Sequence, residues 1–331
     1  MRVGLVLAAG GSVGVAYHGG VLAALEEATG WDPRRADLVV GTSAGSVTAS
    51  LLRAGLPARD LAAISEGAPL SDEGERLASS GRPHRPRVKL GHALSFRPWA
   101  DLPAVLHAAT HPWSSSPRRL LVAALPAGGI PTSAISEGID TLHTAGWPVD
   151  PLWICAWDLR RGHRVVFGRP GAPVASVGEA VAASSAIPAY FQPVSIGGRR
   201  YVDGGVHSMA NLDLAAGAGL DLVIVVSPLT AVSSSMSPAG VLRQPLRARL
   251  RSEVDTLRAA GVEVVAVQPG RSVATAMGPN PMDAARRRVV SEAAREGLRR
   301  WLSDGVDGRR LARILAGASG RVPGMEGLPS A

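Results

Sequence analysis

The 331-residue sequence has one cysteine, Cys155, so no intramolecular disulfide can form and nothing demands an oxidising compartment. Cys155 lies in the apolar run Leu152-Trp153-Ile154-Cys155-Ala156-Trp157 and reads as a small core residue. Aromatic residues make up only 4% of the chain, which leaves Ala, Val and Leu to fill most of a core. No apolar stretch is long enough to span a bilayer. The run from Met1 to Gly10 is too short in its apolar part for a signal peptide and reads as a first buried strand entering a glycine loop. No long uninterrupted block of one charge is present, and no nucleic acid is expected as a partner. No His/Cys/Asp cluster has metal-ligand spacing, so neither a metal nor another cofactor is expected. The default is a cytoplasmic soluble protein, with peripheral contact to a membrane as a further expectation.

What is present is a globular composition: 46% apolar and 19% charged residues. Lysine plus arginine number 35 and aspartate plus glutamate 27, a balance of +8 that raises the odds of an anionic partner, a phospholipid surface or nucleic acid, although basic residues spread along the chain read more plainly as a solvated surface. Gly 39 and Pro 25 imply many tight connections. Strand-length apolar runs at 3–8, 37–40, 151–157, 164–167, 221–227 and 262–268 alternate with helix-length segments at 17–29, 45–54, 177–184, 244–260 and 282–302. Near-continuous Val/Ile/Leu runs suit strands buried on both faces, and the alternation predicts a parallel sheet covered by helices. Residues 1–315 read as one α/β domain. Within it, 66–119 interleaves prolines with basic and aromatic residues, including Trp99 and Trp113, and reads as a cap or lid or, equally, as a long surface excursion with no role in substrate handling. The Gly/Pro/Ser-rich stretch 316–331 reads as a flexible tail.

Gly41-Thr42-Ser43-Ala44-Gly45 is a Gly-x-Ser-x-Gly pattern between a strand and a helical run. A serine on such a turn has its hydroxyl exposed, and the following helix directs its positive end at it. Gly10-Gly11-Ser12-Val13-Gly14, after the first strand, presents backbone amides to an anion. It departs from the Gly-x-Gly-x-x-Gly dinucleotide fingerprint, and an oxyanion hole fits better beside a serine turn; a purely structural turn is the plain alternative. A serine nucleophile needs a base. None of the eight histidines follows an obvious late strand. Asp203, ending a short strand and followed by Gly204-Gly205, can take a serine proton directly if desolvated, although an isolated Asp-Gly-Gly reads equally as a simple turn.

Taken together, these motifs resemble the patatin-like phospholipase family in order and spacing, over roughly residues 3 to 230. His18-Gly19-Gly20-Val21-Leu22, then 183–188 and 191–194 upstream of Asp203, and Asn211 after it, are further family-like matches. The resemblance implies a three-layer α/β/α sandwich with a largely parallel central sheet. It implies Ser43 as nucleophile and Asp203 as base without a histidine. It implies an oxyanion hole from the backbone of Gly10, Gly11, Ser12 and Gly14, supported by Gly41, Gly45, Gly204, Gly205 and Asn211. The substrate is then a lipid or other acyl ester. Ala9 stands where the family has a glycine, and Val13 where it has a basic residue. A catalytically weak or inactive lipid-binding module is the alternative that Val13 keeps open. An acyltransferase of related architecture places histidine before the serine, where this chain has Thr42. A nucleotide-binding oxidoreductase lacks its loop.

Overall fold

Strand β1 (Val3–Leu7) is buried at every position, so it needs cover on both faces. The computed structural model describes residues 1–80, 122, 124–231 and 238–319. After β1 come α1 (Gly11–Thr29), β2 (Leu38–Thr42), α2 (Ala44–Arg53), α3 (Ala58–Glu66) and α4 (Asp72–Ser80). Further on lie α5 (Ser133–Asp140), β3 (Leu152–Asp158), β4 (His163–Phe167), α6 (Val177–Ser184), β5 (Val194–Ile196) and β6 (Arg199–Asp203). The chain continues through β7 (Leu222–Val226), α7 (Pro238–Ala259), β8 (Glu263–Val267), α8 (Arg271–Met277), α9 (Arg287–Asp304) and α10 (Val306–Ser319).

The strands form one eight-stranded sheet in the order β5-β6-β3-β2-β1-β7-β8, with β4 also paired to β3. Strands β3, β2, β1, β7 and β8 run parallel, while β4, β5 and β6 join by antiparallel pairing. Alternate side chains enter opposite cores. Leu5 and Leu7 pack in the cluster that takes in α1, α2 and α9; Val6 and Ala8 pack in a second cluster with α7 and the 3-10 turn Leu212–Ala215. This is the expected three-layer sandwich with a mostly parallel sheet. The six strand-length runs and the short strand ending at Asp203 (β6) are all present. β5 is additional: three residues are too short to leave a periodic pattern.

Helix α1 begins at Gly11, well before the expected start near Tyr17. Glycine's weak helix propensity is overridden by packing, because α1 is the buried helix at the centre of its layer. A Cβ on Gly19 would lie 2.8 Å from the Leu61 carbonyl oxygen, and one on Gly20 would enter the Ser291 carbonyl. The two glycines thus let α3 and α9 close on α1. Of the stretch read as a lid, residues 72–80 are helical, while 81–119, with Trp99 and Trp113, lie outside the described residues. Helix α10 runs to Ser319 and so enters the stretch read as tail; Leu311 and Leu315 are buried and Ala318 packs against the core. Residues 320–331 lie outside the described residues.

Gly20→Ala is expected to lower stability in urea denaturation by about 1–3 kcal/mol, as overpacking does. Gly138→Ala, inside α5 with nothing within 4 Å of the new Cβ, is expected to raise stability by up to about 1 kcal/mol.

Candidate active site

The site is built on one edge of β3. Thr42, the last residue of β2, pairs with Cys155, and Asp203, the last residue of β6, pairs with Ala156. Cys155 also pairs with Val166 of β4, and Ala156 with Val165. A strand residue has two edges, and β4 occupies one of them, so β2 and β6 share the other. They approach it from opposite directions and their C-terminal tips meet at Ala156. Ser43 follows directly after Thr42, which places it against Asp203.

Ser43 has φ 53° and ψ −120°, a left-handed backbone for a residue with a Cβ. Strain of that kind persists only where the surroundings enforce it. Here the Ser43 N–H donates to Ser184 Oγ at 2.9 Å, and the Ser46 hydroxyl donates to the Ser43 carbonyl at 2.6 Å. Ser184 Oγ in turn donates to the Cys155 carbonyl at 2.6 Å. Two glycines make the turn sterically feasible. A Cβ on Gly41 would lie 2.6 Å from Ser46 Cα, and one on Gly45 would enter the Leu7 carbonyl. The start of α2 therefore lies against the end of β1, with the helix N-terminus behind the serine.

The Ser43 hydroxyl interacts with the Asp203 carboxylate and favours its ionised form. The Gly205 N–H donates to Asp203 Oδ1 at 2.7 Å. Asp203 is 6% exposed, and burial pushes its pKa up from 3.8 to about 6, against the opposing pull of Ser43 and Gly205. At neutral pH the group is then mostly ionised, and it is a stronger base than a solvated carboxylate. Gly204 is needed for fit, since a Cβ there would enter the Cys155 carbonyl. The Asp203 N–H donates to the Ala186 carbonyl at 3.0 Å. The segment 183–188, picked out in the sequence without a role, thus holds serine through Ser184 and acid through Ala186.

The glycine loop lies next to both. Among the described residues, no backbone carbonyl accepts from the amides of Gly10, Gly11 or Ser12. The Gly14 N–H donates to the Gly10 carbonyl at 3.0 Å as part of α1, so Gly14 is not a free donor. This corrects its place among the oxyanion amides: the helix starts too early to leave that N–H unbonded. Gly11 has φ +63°, and a Cβ on it would lie 2.5 Å from the Pro281 carbonyl oxygen and 3.0 Å from Met282 Sδ. Val13, in the position of the family's basic residue, is 1% exposed, and its N–H donates to the Pro281 carbonyl at 3.1 Å. Pro281 and Met282 were missed in the sequence, because nothing local there marks a segment that returns to cover the first loop.

Asn211 joins the parts. Its Nδ2 donates to Thr42 Oγ1 at 3.0 Å and to the Ser208 carbonyl at 2.7 Å, and its Oδ1 accepts from Arg164 Nη1 at 3.1 Å. Arg164 also makes a two-pronged pair with Asp213 at 2.7 and 2.8 Å. The Ala9 N–H donates to the Met209 carbonyl at 2.8 Å, tying the glycine loop to the turn beyond Asp203. A cavity of about 270 Å³ opens beside that turn, lined by Gly205, His207, Met209, Thr230 and Leu250. His207 stacks on Trp157 at 6.1 Å between ring centroids. His18 is fully buried, with Nδ1 3.3 Å from Thr48 Oγ1, and burial pushes its pKa down to about 3, which keeps it neutral. The Cys155 thiol, buried in the second core, is pushed up to about 12 and stays protonated.

A family model described as patatin-like phospholipase matches residues 5–216, and the chain belongs to that family. The family acts on lipid substrates, with lipid acyl hydrolysis as its general chemistry. Among solved structures the chain is similar to VipD from Legionella pneumophila, at 16% identity and a TM-score of 0.43, over 96% of this chain and 67% of that one. Among the described residues, no helix is long and apolar enough to cross a membrane.

The raised pKa of Asp203 makes stability depend on pH. The folded value, about 6, lies above the unfolded 3.8, so protonation favours the folded chain. That contribution is fully present below about pH 4 and is lost as pH rises through about 6. Asp203→Asn is expected to melt above wild type at pH 8, by up to about 3 kcal/mol of stability, and to converge with it at pH 4. Thermal melts at the two pH values read this difference. Asn211→Ala, which leaves Thr42 and Ser208 without a buried donor, is expected to lose about 1–3 kcal/mol in urea denaturation.

Proposed function

We propose that this chain hydrolyses carboxylic esters of lipids, with Ser43 as nucleophile and Asp203 as its base. The observation that carries this reading is the meeting of the β2 and β6 tips on β3, which sets Ser43 against a buried carboxylate whose proton affinity is raised. A hydroxyl is a weak nucleophile at neutral pH and needs its proton removed as the new bond forms. Asp203 takes that proton while Ser43 Oγ attacks the ester carbonyl. The carbonyl oxygen becomes an oxyanion, stabilised by the amides of Gly10, Gly11 and Ser12 and by the N-terminus of α2. Asp203 returns the proton to the leaving alcohol as the tetrahedral intermediate collapses to an acyl-serine. A water molecule, deprotonated by the same carboxylate, then attacks the acyl-serine, and Asp203 returns that proton to Ser43 Oγ as the acid is released.

The missing cation at position 13 does not weaken this reading. The loop is held by the Pro281 carbonyl, by the left-handed turn at Gly11 and by Met209. Oxyanion binding through backbone amides needs no side-chain charge. The cavity beside the Asp203 turn has the mixed lining suited to part of an acyl ester.

Hydrolysis of p-nitrophenyl acyl esters of increasing chain length is the test. Ser43→Ala and Asp203→Asn are each expected to lower kcat/KM by more than about 1,000-fold with the fold retained. The wild-type profile is expected to lose activity as pH falls through about 6, since a protonated Asp203 accepts no proton. Wild-type rates in both variants, or an acidic limb at the ordinary carboxylate value near 4, would sink the dyad. A folded wild type inactive on every ester, yet retaining lipid, would favour the binding-module reading.

A further inference from the structure

A second surface feature lies on the far side of β3 from Asp203. Among the described residues β4 pairs only with β3, which leaves its outer edge open. A groove of about 450 Å³ runs along that edge. Arg161, His163, Arg164, Arg169 and Arg199 line it, and no acidic side chain does among the described residues. Arg164 is matched by Asp213, but Arg161, His163 and Arg169 are exposed. The Arg169 guanidinium lies over the Trp153 ring, 5.2 Å from its centroid, which holds one cation at the rim.

Two apolar side chains flank this charge. Val174, just beyond the groove's Pro170–Pro173 wall, is 96% exposed, and Val149 is 102% exposed. Their loops are tied together, since Trp147 Nε1 donates to the Ala175 carbonyl at 2.7 Å. Aliphatic side chains fully in water beside a cluster of cations match the two layers of an anionic bilayer surface: phosphate at the level of the arginines, and acyl-chain boundary at the level of the valines. A nucleic acid would use the cations and leave the valines without a role. The groove also adjoins the chemistry. Val165, which lines it, and Asp203 both pair with Ala156 on opposite edges of β3, two strand spacings or about 10 Å apart.

We infer that the β4 edge groove, with Val149 and Val174, is a docking surface for anionic phospholipid bilayers. It rests on the lipid-hydrolase reading only for its purpose; its geometry is independent of Ser43.

The test is flotation of the full chain with phosphatidylcholine vesicles and with equimolar phosphatidylcholine–phosphatidylglycerol vesicles. Wild type is expected to float with the anionic vesicles alone at low salt and to be released by about 0.5 M salt. Arg161→Glu/Arg169→Glu is expected to bind at least about 30-fold more weakly, from roughly 1 kcal/mol per cation lost. The milder Arg161→Gln/Arg169→Gln and Val149→Ser/Val174→Ser are expected to weaken binding several-fold. All these variants should keep wild-type turnover of a soluble p-nitrophenyl ester. Ser43→Ala should float like wild type, so a failed dyad leaves the docking result legible. The inference is overturned by equal flotation of wild type and both arginine variants, by equal binding to zwitterionic vesicles, or by no binding at all. Tighter retention by short duplex DNA than by anionic vesicles also overturns it.

Discussion

Two strands meeting tip to tip along one edge of β3 is the constraint on which the site depends. β2 ends at Cys155 and β6 ends at Ala156, and the chain of β3 is long enough to pair with both. That arrangement brings together a serine and an aspartate 160 positions apart in sequence, with Ser184 and Ala186, at the end of α6, bracing the two. It also explains the chemistry of the acid. The strand ends lie inside the layered core, so Asp203 loses water and holds its proton more tightly than a surface carboxylate. The same burial that weakens the folded state at neutral pH raises the group's affinity for a proton.

Close backbone approach is the second condition. Gly45 against the Leu7 carbonyl, Gly204 against the Cys155 carbonyl and Gly11 against Pro281 each occupy a place where a Cβ would collide with main chain. The three loops of the site are therefore packed backbone to backbone, which adds to the side-chain bridges of Ser184 and Asn211 in fixing amides and hydroxyl relative to one another. Strain at Ser43 is tolerated because Ser184 and Ser46 hold both sides of its peptide unit.

Around this centre, polar side chains connect elements that the chain order keeps apart. Asn211 reaches from the turn after Asp203 to Thr42, and Arg164 of β4 reaches back to Asn211 and Asp213. Glu253 of α7 accepts from the Leu212 N–H at 3.1 Å and pairs with Arg249 at 2.9 Å, so the helix on that face anchors the same turn. The edge strand bearing the cationic groove is thus mechanically joined to the turn that carries the acid.

The class of fold was legible in the amino-acid order, because strands buried on both faces must be nearly continuous runs of Val, Ile and Leu, and β1, β2, β7 and β8 are such runs. Ser43 and the glycine loop were legible too: a strained turn and a close amide approach admit few residue types. Asp203 was visible only in combination with them, since an Asp-Gly-Gly turn alone has no distinctive chemistry. Other features had no local signature. The early start of α1, which removes Gly14 from the free amides, reflects packing of α3 and α9 on Gly19 and Gly20. The roles of Ser184, Ala186 and Pro281 arise from contacts between distant segments, and no periodicity records those. Composition and short-range sterics determined which elements form and where the strained serine turn sits. Only the tertiary structure decided which carboxylate loses its water beside that serine, because desolvation belongs to the assembled layers and to no single segment.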